Sequence, residues 1–183
     1  MDKGIILTTY RFREDDCIQE AWTILNSYGD FDVLDTNMPG IVLIKINFNP
    51  IDAVESLIDF ARENPWSIKY ILRAIPLEAI VDAHEDSIVN AALSLVYKIK
   101  EEDRYRISVS KRNSDLSSMK LISRIAEKVR GKVDLKNYDY MILIEVIKEI
   151  AGVSVIKNDQ IFALHKIKKE AISKLLGKEV NLD

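Results

Sequence analysis

Strand-like runs and amphipathic helices alternate through the first 75 residues, and that alternation most restricts what the chain can fold into. Residues 4–10 (GIILTTY) read as a buried strand. Residues 14–28 follow, with Ile18, Ala21, Trp22 and Leu25 at helical spacing and Gly29 as a stop. Met38-Pro39-Gly40 signals a turn between a short strand at 31–35 and another at 41–47. Pro50 suits the first position of a second helix, whose face is Val54, Leu57, Ile58 and Ala61. Residues 66–75 read as a fourth strand, and Trp22 and Trp66 as core. The order β-α-β-β-α-β is the split βαβ arrangement of ferredoxin-like domains.

Pro76 then interrupts the pattern, so the boundary is placed there: one domain over 1–75 and a second over 76–183. A length of 183 residues holds two such small domains. The second opens with an amphipathic helix at 86–100, built on Ile88, Ala91, Ala92, Leu95, Val96 and Ile99. Residues 104–111 alternate, with Tyr105, Ile107 and Val109 on one side and Arg104, Arg106, Ser108 and Ser110 on the other. A helix is expected over about 116–130, with Ser118, Ile122, Ile125, Ala126 and Val129 as its inner stripe. Strands at 140–146 and 152–156 and a Lys-rich helix at 163–176 complete an α+β chain.

Several function classes lack their signatures. There is no Walker A loop, no G-x-G-x-x-G and no G-x-S-x-G. His84 and His165 are far apart, outside any ligand-spaced cluster, so neither a metal nor a cofactor is expected. Glu14-Asp15-Asp16 begins a helix, where negative charge is favoured by the dipole. No apolar run approaches the length of a membrane span, and Met1-Asp2-Lys3-Gly4 does not begin a signal peptide. The single cysteine, Cys17, cannot form an internal disulfide and is expected to be a buried thiol in a cytoplasmic protein.

Charge is segregated. The whole chain carries a net −3, yet residues 104–136 hold ten basic groups against three acidic ones. The rest is net −10, so the local excess of seven is hidden in the total. A phosphate backbone answers to the local field, because distant charges are screened. Lys111-Arg112-Asn113-Ser114 joins a strand end to a helix start, where unpaired N–H groups and the helix dipole favour phosphate. Ser114 or Asp115 is the expected cap of that helix. Ser117, Lys120, Arg124 and Lys128 then fall on one helical face. Like charges four residues apart destabilise a helix slightly, which favours a binding role over a structural one. Gly131 to Asn137, with Lys136, extends the surface, Asp134 serving as a turn residue. Tyr138 and Tyr140 can either stack on bases or pack.

These segments resemble THUMP domains. The likeness rests on SKRNSDLSS (residues 110–118), KVDLKNYDYMILIEV (132–146) and GVSVIK (152–157), in a strand-loop-helix context. MPGIVLIKI and PWSIKYILRAIP in the first domain are similar to the branch of stand-alone THUMP proteins that assists cytidine acetylation in tRNA. The resemblance implies a ferredoxin-like domain followed by a THUMP α/β domain. It implies a non-catalytic adaptor that presents the acceptor stem and 3′ end of tRNA to a separate acetyltransferase, with no membrane or DNA partner. Carried over by position, Lys111, Arg112, Asn113, Ser114 and Ser118 would contact RNA, with Lys136 and Asn137 nearby. Asp115 and Tyr138 depart from the family pattern. The rivals are an accessory for tRNA methylation or thiolation, and a scaffold whose basic face docks an acidic protein.

Overall fold

The structure, a computed structural model, describes residues 1–177; the last six residues of the range assigned to the second domain lie outside the described residues. The chain divides into two units. Residues 5–76 with 161–177 form the first, and residues 1–4 with 77–160 form the second.

The first unit contains most of β1 (Asp2–Thr8), then α1 (Glu14–Leu25), β2 (Phe31–Leu34), β3 (Ile41–Ile46) and α2 (Pro50–Glu63), and the opening residues of β4 (Arg73–Asp82). Its strands lie in the order β2-β3-β1-β4. The β-α-β-β-α-β sequence is therefore present, as expected. Asn49 caps α2 by accepting from the Ile51 and Asp52 amides, and Pro50 occupies the first turn. Val54, Leu57, Ile58 and Ala61 are buried with Ile5, Leu7, Val42 and Ile44 in one core.

The fourth strand starts later than its sequence predicts. Residues 66–72 are apolar enough for a strand, and Ile68 and Ile71 are buried. Their amides, however, do not all enter a ladder. Glu20 of α1 takes three of them: Lys69 (2.8 Å), Tyr70 (2.9 Å) and Ile71 (2.8 Å). A carboxylate thus replaces a neighbouring strand as the acceptor. Pro76, which has no N–H to give, lies inside β4. It falls between the pairing of Arg73 and Ala74 with β9 (Phe162–Ala163) and that of Ala79 to Asp82 with β8 (Ile150–Ile156).

The Lys-rich helix, α5 (Leu164–Leu175), was grouped by its sequence with the second domain. It lies instead in the first unit, where Leu164 and Ile167 join the core of α1 and α2. The Leu164 amide donates to the Leu72 carbonyl at 2.9 Å, which ties the start of α5 to that unit.

Cys17 is fully buried in the same core. Burial, reinforced by the Glu20 charge, pushes its thiol up to about 12. Gly40 adopts φ +78°, and a Cβ there would meet the Thr9 carbonyl oxygen at 2.9 Å. Its amide donates to Glu14 at 2.5 Å, the leading reason that this carboxyl sits below its usual range.

The second unit places β4 (from Leu77), β8, β7 (Tyr140–Ile147), β5 (Arg104–Arg112) and β6 (Lys132–Val133) side by side in that order. β5 runs parallel to both β6 and β7, while β7 and β8 form an antiparallel hairpin. Helices α3 (Glu85–Leu95) and α4 (Ser118–Ala126) pack Ile88, Val89, Ala92, Leu121 and Ile125 against Ile142, Ile144, Val146 and Val153.

Two measurements check this description. Glu20→Ala removes the acceptor of three amides, two of them from half-buried or buried residues. Urea unfolding is expected to show a loss of about 3 kcal/mol. A thiol held near 12 stays protonated at pH 8. Native Cys17 is therefore expected to resist iodoacetamide at that pH and to react once the chain is unfolded in guanidinium.

Candidate nucleic-acid interface

β5 organises the basic segment. Tyr105, Ile107 and Val109 pack into the core beneath α3 and α4, which leaves Arg106, Ser108, Ser110 and Arg112 on the opposite face. Arg112 and Ile147 are register partners, so the loop after β5 emerges beside the β7–β8 turn. The Lys148 amide donates to the Arg112 carbonyl at 3.0 Å, which closes that end of the sheet.

The loop itself is shaped by short-range bonds. Asn113 takes φ +54°, a left-handed conformation that asparagine tolerates better than most residues. Ser114 Oγ accepts from the Leu116 amide at 3.4 Å. Ser114 is therefore spent on a turn, and neither it nor Asp115 caps α4. The cap is Ser117, which accepts from the Lys120 amide at 3.3 Å. Lys111 reaches back to the Leu116 carbonyl. No acidic residue lies in the first turn of α4, unlike α1, α2 and α3. The nearest acid in sequence is Asp115, two residues before the cap.

The inner stripe of α4 also differs from expectation. Leu121 and Ile125 are fully buried, whereas Ile122 and Ala126 are only half-buried. The helix ends at Ala126, so Val129 and Lys128 lie beyond it and do not extend the face carrying Lys120.

The arginines are mostly committed inside the unit. Arg112 donates to Glu145 at 2.7 Å, and Glu145 is only 6% exposed. Arg124 donates to Glu85 (2.9 Å) and Asp86 (2.8 Å) at the start of α3. The Glu85 bond, then the Asp86 bond, pushes that guanidinium above its ordinary value. Arg104 approaches Asp139 (3.5 Å) and Asp134 (3.9 Å). Arg106 lies over the Tyr138 ring at 5.3 Å, so Tyr138 already has a cation on one face. Tyr140 is half-buried against the core.

Asp134 acts as the turn residue its position suggests. Its carboxylate accepts from the Lys136 and Asn137 amides at 2.9 Å each. Those bonds, the Asn137 one first, hold it below the usual carboxylate range. Asp139 is lowered chiefly by the Arg104 amide. The side chains of Lys120, Lys128, Arg130, Lys132 and Lys136 are exposed and carry no ion pair among the described residues.

The eleven candidate residues do not form one patch. β6 pairs with Arg104 and Tyr105, at the amino end of β5, whereas the loop leaves from the carboxyl end. Seven residue steps of strand separate positions 104 and 111, or about 23 Å. Lys111, Arg112, Asn113, Ser114, Ser117, Ser118 and Lys120 gather at the carboxyl end. Lys136 and Asn137 belong to the amino end, with Lys128 on the segment leading there from α4. Arg124 is tied to α3. Lys132, within the 131–137 stretch expected to extend the surface, and Arg130 just before it are also exposed.

Among the described residues, no group of three or more His, Cys, Asp or Glu side chains could hold a metal ion. No helix among them is long and apolar enough to cross a membrane.

Residues 82–156 match the THUMP domain. The chain is 30% identical over 138 residues to the THUMP domain-containing protein 1 homolog of Drosophila melanogaster, covering 70% of this chain and 43% of that protein. It spans between 43% and 64% of the length of the curated relatives it matches. Among solved structures, TrmN from Thermus thermophilus superposes with a TM-score of 0.61 at 16% identity, covering 94% of this chain and 54% of that one. A 4-thiouridine synthetase crystallised with RNA and ATP gives 0.56 at 13% identity, covering 86% and 42%. At these identities the two structures establish the fold.

Removing the Arg112 side chain would leave a buried carboxylate without its partner. Arg112→Ala is expected to cost about 3 kcal/mol in urea unfolding. Lys120→Ala, at an exposed unpaired site, is expected to change stability by less than about 0.5 kcal/mol. An equal effect of the two would contradict the pairing described.

Proposed function

We propose that this chain, which carries a THUMP domain over residues 82–156, is a tRNA-binding accessory protein that presents tRNA to a separate modification enzyme. The observation that carries the reading is a coincidence of position. The segment matching a domain type associated with RNA binding in tRNA modification is also where the basic excess lies. Lys120, Lys128, Lys132 and Lys136 of that run are exposed and carry no ion pair among the described residues.

In this reading the loop after β5 and the start of α4 supply one contact with the phosphate backbone. Lys111, Asn113, Ser114, Ser117, Ser118 and Lys120 contribute there, together with the open N–H groups of α4. Arg112 positions the loop through Glu145 and adds its charge to the field. Lys128, Lys136 and Asn137 supply a second contact at the other end of β5. Arg124 holds α3 against α4 and adds little to binding, because two carboxylates offset it.

The client enzyme we favour is a tRNA cytidine acetyltransferase, the chain itself being non-catalytic and working in the cytoplasm. Support comes from the resemblance of its segments to the acetylation-assisting branch. The likeness to a 4-thiouridine synthetase keeps thiolation as a second reading, since that protein was crystallised with RNA.

Binding should be measured with the purified chain across a salt series. We expect tRNA to bind better than duplex DNA of equal charge. Lys120→Ala and Lys136→Ala should each weaken binding and lower the salt slope by about one. Equal affinity for tRNA, DNA and heparin would instead mark a nonspecific basic face. Nucleoside profiling of tRNA from cells lacking the protein identifies the client. Loss of acetylated cytidine supports the acetyltransferase, loss of a thiolated or methylated nucleoside reassigns the client, and an unchanged profile overturns the adaptor role.

A further inference from the structure

The first unit carries an aromatic feature that the THUMP segment does not explain. Trp66 follows α2 and is 54% exposed, although its sequence position reads as core. It lines a groove of about 420 Å³ together with Arg62, Glu63, Ile167, Glu170 and Lys174. That volume accommodates a nucleobase, and the buried Ile167 gives the groove an apolar floor.

In the groove itself Arg62 and Lys174 stand against Glu63 and Glu170, and the cationic excess comes from the rest of α5. α5 carries Lys166, Lys168, Lys169 and Lys174 against a single acid, Glu170. Glu170 is engaged by Arg62 at 3.6 Å. Lys168 places its ammonium 5.7 Å from the centre of the Trp66 ring. An exposed indole beside ammonium groups that form no ion pair among the described residues combines the two elements that hold single-stranded nucleic acid: a stacking platform and backbone neutralisation. An acidic protein segment would use the lysines but would not need the indole.

We infer that the groove between α5 and Trp66 binds unpaired RNA nucleotides, with a base stacked on Trp66 and the adjoining phosphates on Lys168 and Lys174. This rests on the RNA-binding reading above and assigns a second contact site in a different unit of the chain. Base stacking on an aromatic ring exceeds a lone exposed cation–π contact, so an arriving base displaces Lys168 from the ring and frees it for phosphate.

The test uses the full chain and three probes: an unstructured single-stranded RNA, a blunt RNA hairpin and heparin. Trp66→Ala is expected to weaken binding of the single-stranded RNA about tenfold and to leave heparin unchanged, while Trp66→Phe, which keeps an aromatic face, retains most of the affinity. Lys168→Ala with Lys174→Ala should weaken it further and lower its salt dependence. In a Trp22→Phe chain, Trp66 fluorescence should be quenched by the single-stranded RNA and not by heparin. Unchanged binding in Trp66→Ala, or absence of quenching, overturns the inference. So does an equal loss of heparin and RNA binding, which points to an acidic partner. Hairpin binding that still depends on Lys120 in that case shows that this site has failed while the THUMP reading stands. Loss of every dependence on Lys120 and Lys136 shows the reverse.

Discussion

The parallel pairing of β5 with β7 extends over eight residues, from Tyr105 beside Tyr140 to Arg112 beside Ile147. Parallel strands cannot be joined by a tight turn. The chain between them must cross over, and here it does so through α4 and the short β6. β7 is buried on both faces for almost its whole length, so a slip of one residue would turn Glu145 into the helical core and Ile144 out of it. The register is therefore strongly specified. Everything at the carboxyl end inherits that precision: the loop after Arg112, the cap at Ser117 and the open start of α4.

The same ladder explains how the basic residues divide their work. Arginine presents a planar set of donors that matches carboxylates, and lysine is a flexible, well-hydrated point charge. Arg104, Arg112 and Arg124 meet acids within the second unit, and Arg106 stacks on an aromatic ring. The lysines at 120, 128, 132 and 136 remain in solvent. A count of charge along the sequence treats the two kinds alike and so overstates the positive field by the part already neutralised inside the fold. What remains outward is still cationic, and it sits at two separated places.

Alternation made the α+β character, the β-α-β-β-α-β order and β5 legible, because burying one face imposes a period on the sequence. Elements closed by distant partners were not legible. Nothing local announces that Glu20 will collect three amides 49 to 51 residues away, and so residues 66–72 looked like a strand. β6 and β9 have two residues each, too few to carry a period. α5 follows the second unit in sequence and packs with the first, a relation its amphipathic pattern could not express. Around the candidate site, the residue types were readable and their roles less so. Ser114, one of the two expected caps, holds a turn, and Ser117, expected on the helical face, is the cap, because α4 begins at Ser118 and not near residue 116.

The Glu20 arrangement also governs how the first unit comes apart. An ordinary strand loses its bonds one at a time from its ends, each rupture exposing one amide. Three neighbouring amides held by one carboxylate are released in a single event, when the turn of α1 carrying Glu20 unwinds. Helix α1 and the segment at 69–71 therefore constitute one opening unit, although fifty residues separate them along the chain. Their protection against hydrogen exchange rises and falls together, and a disturbance to either is felt at both.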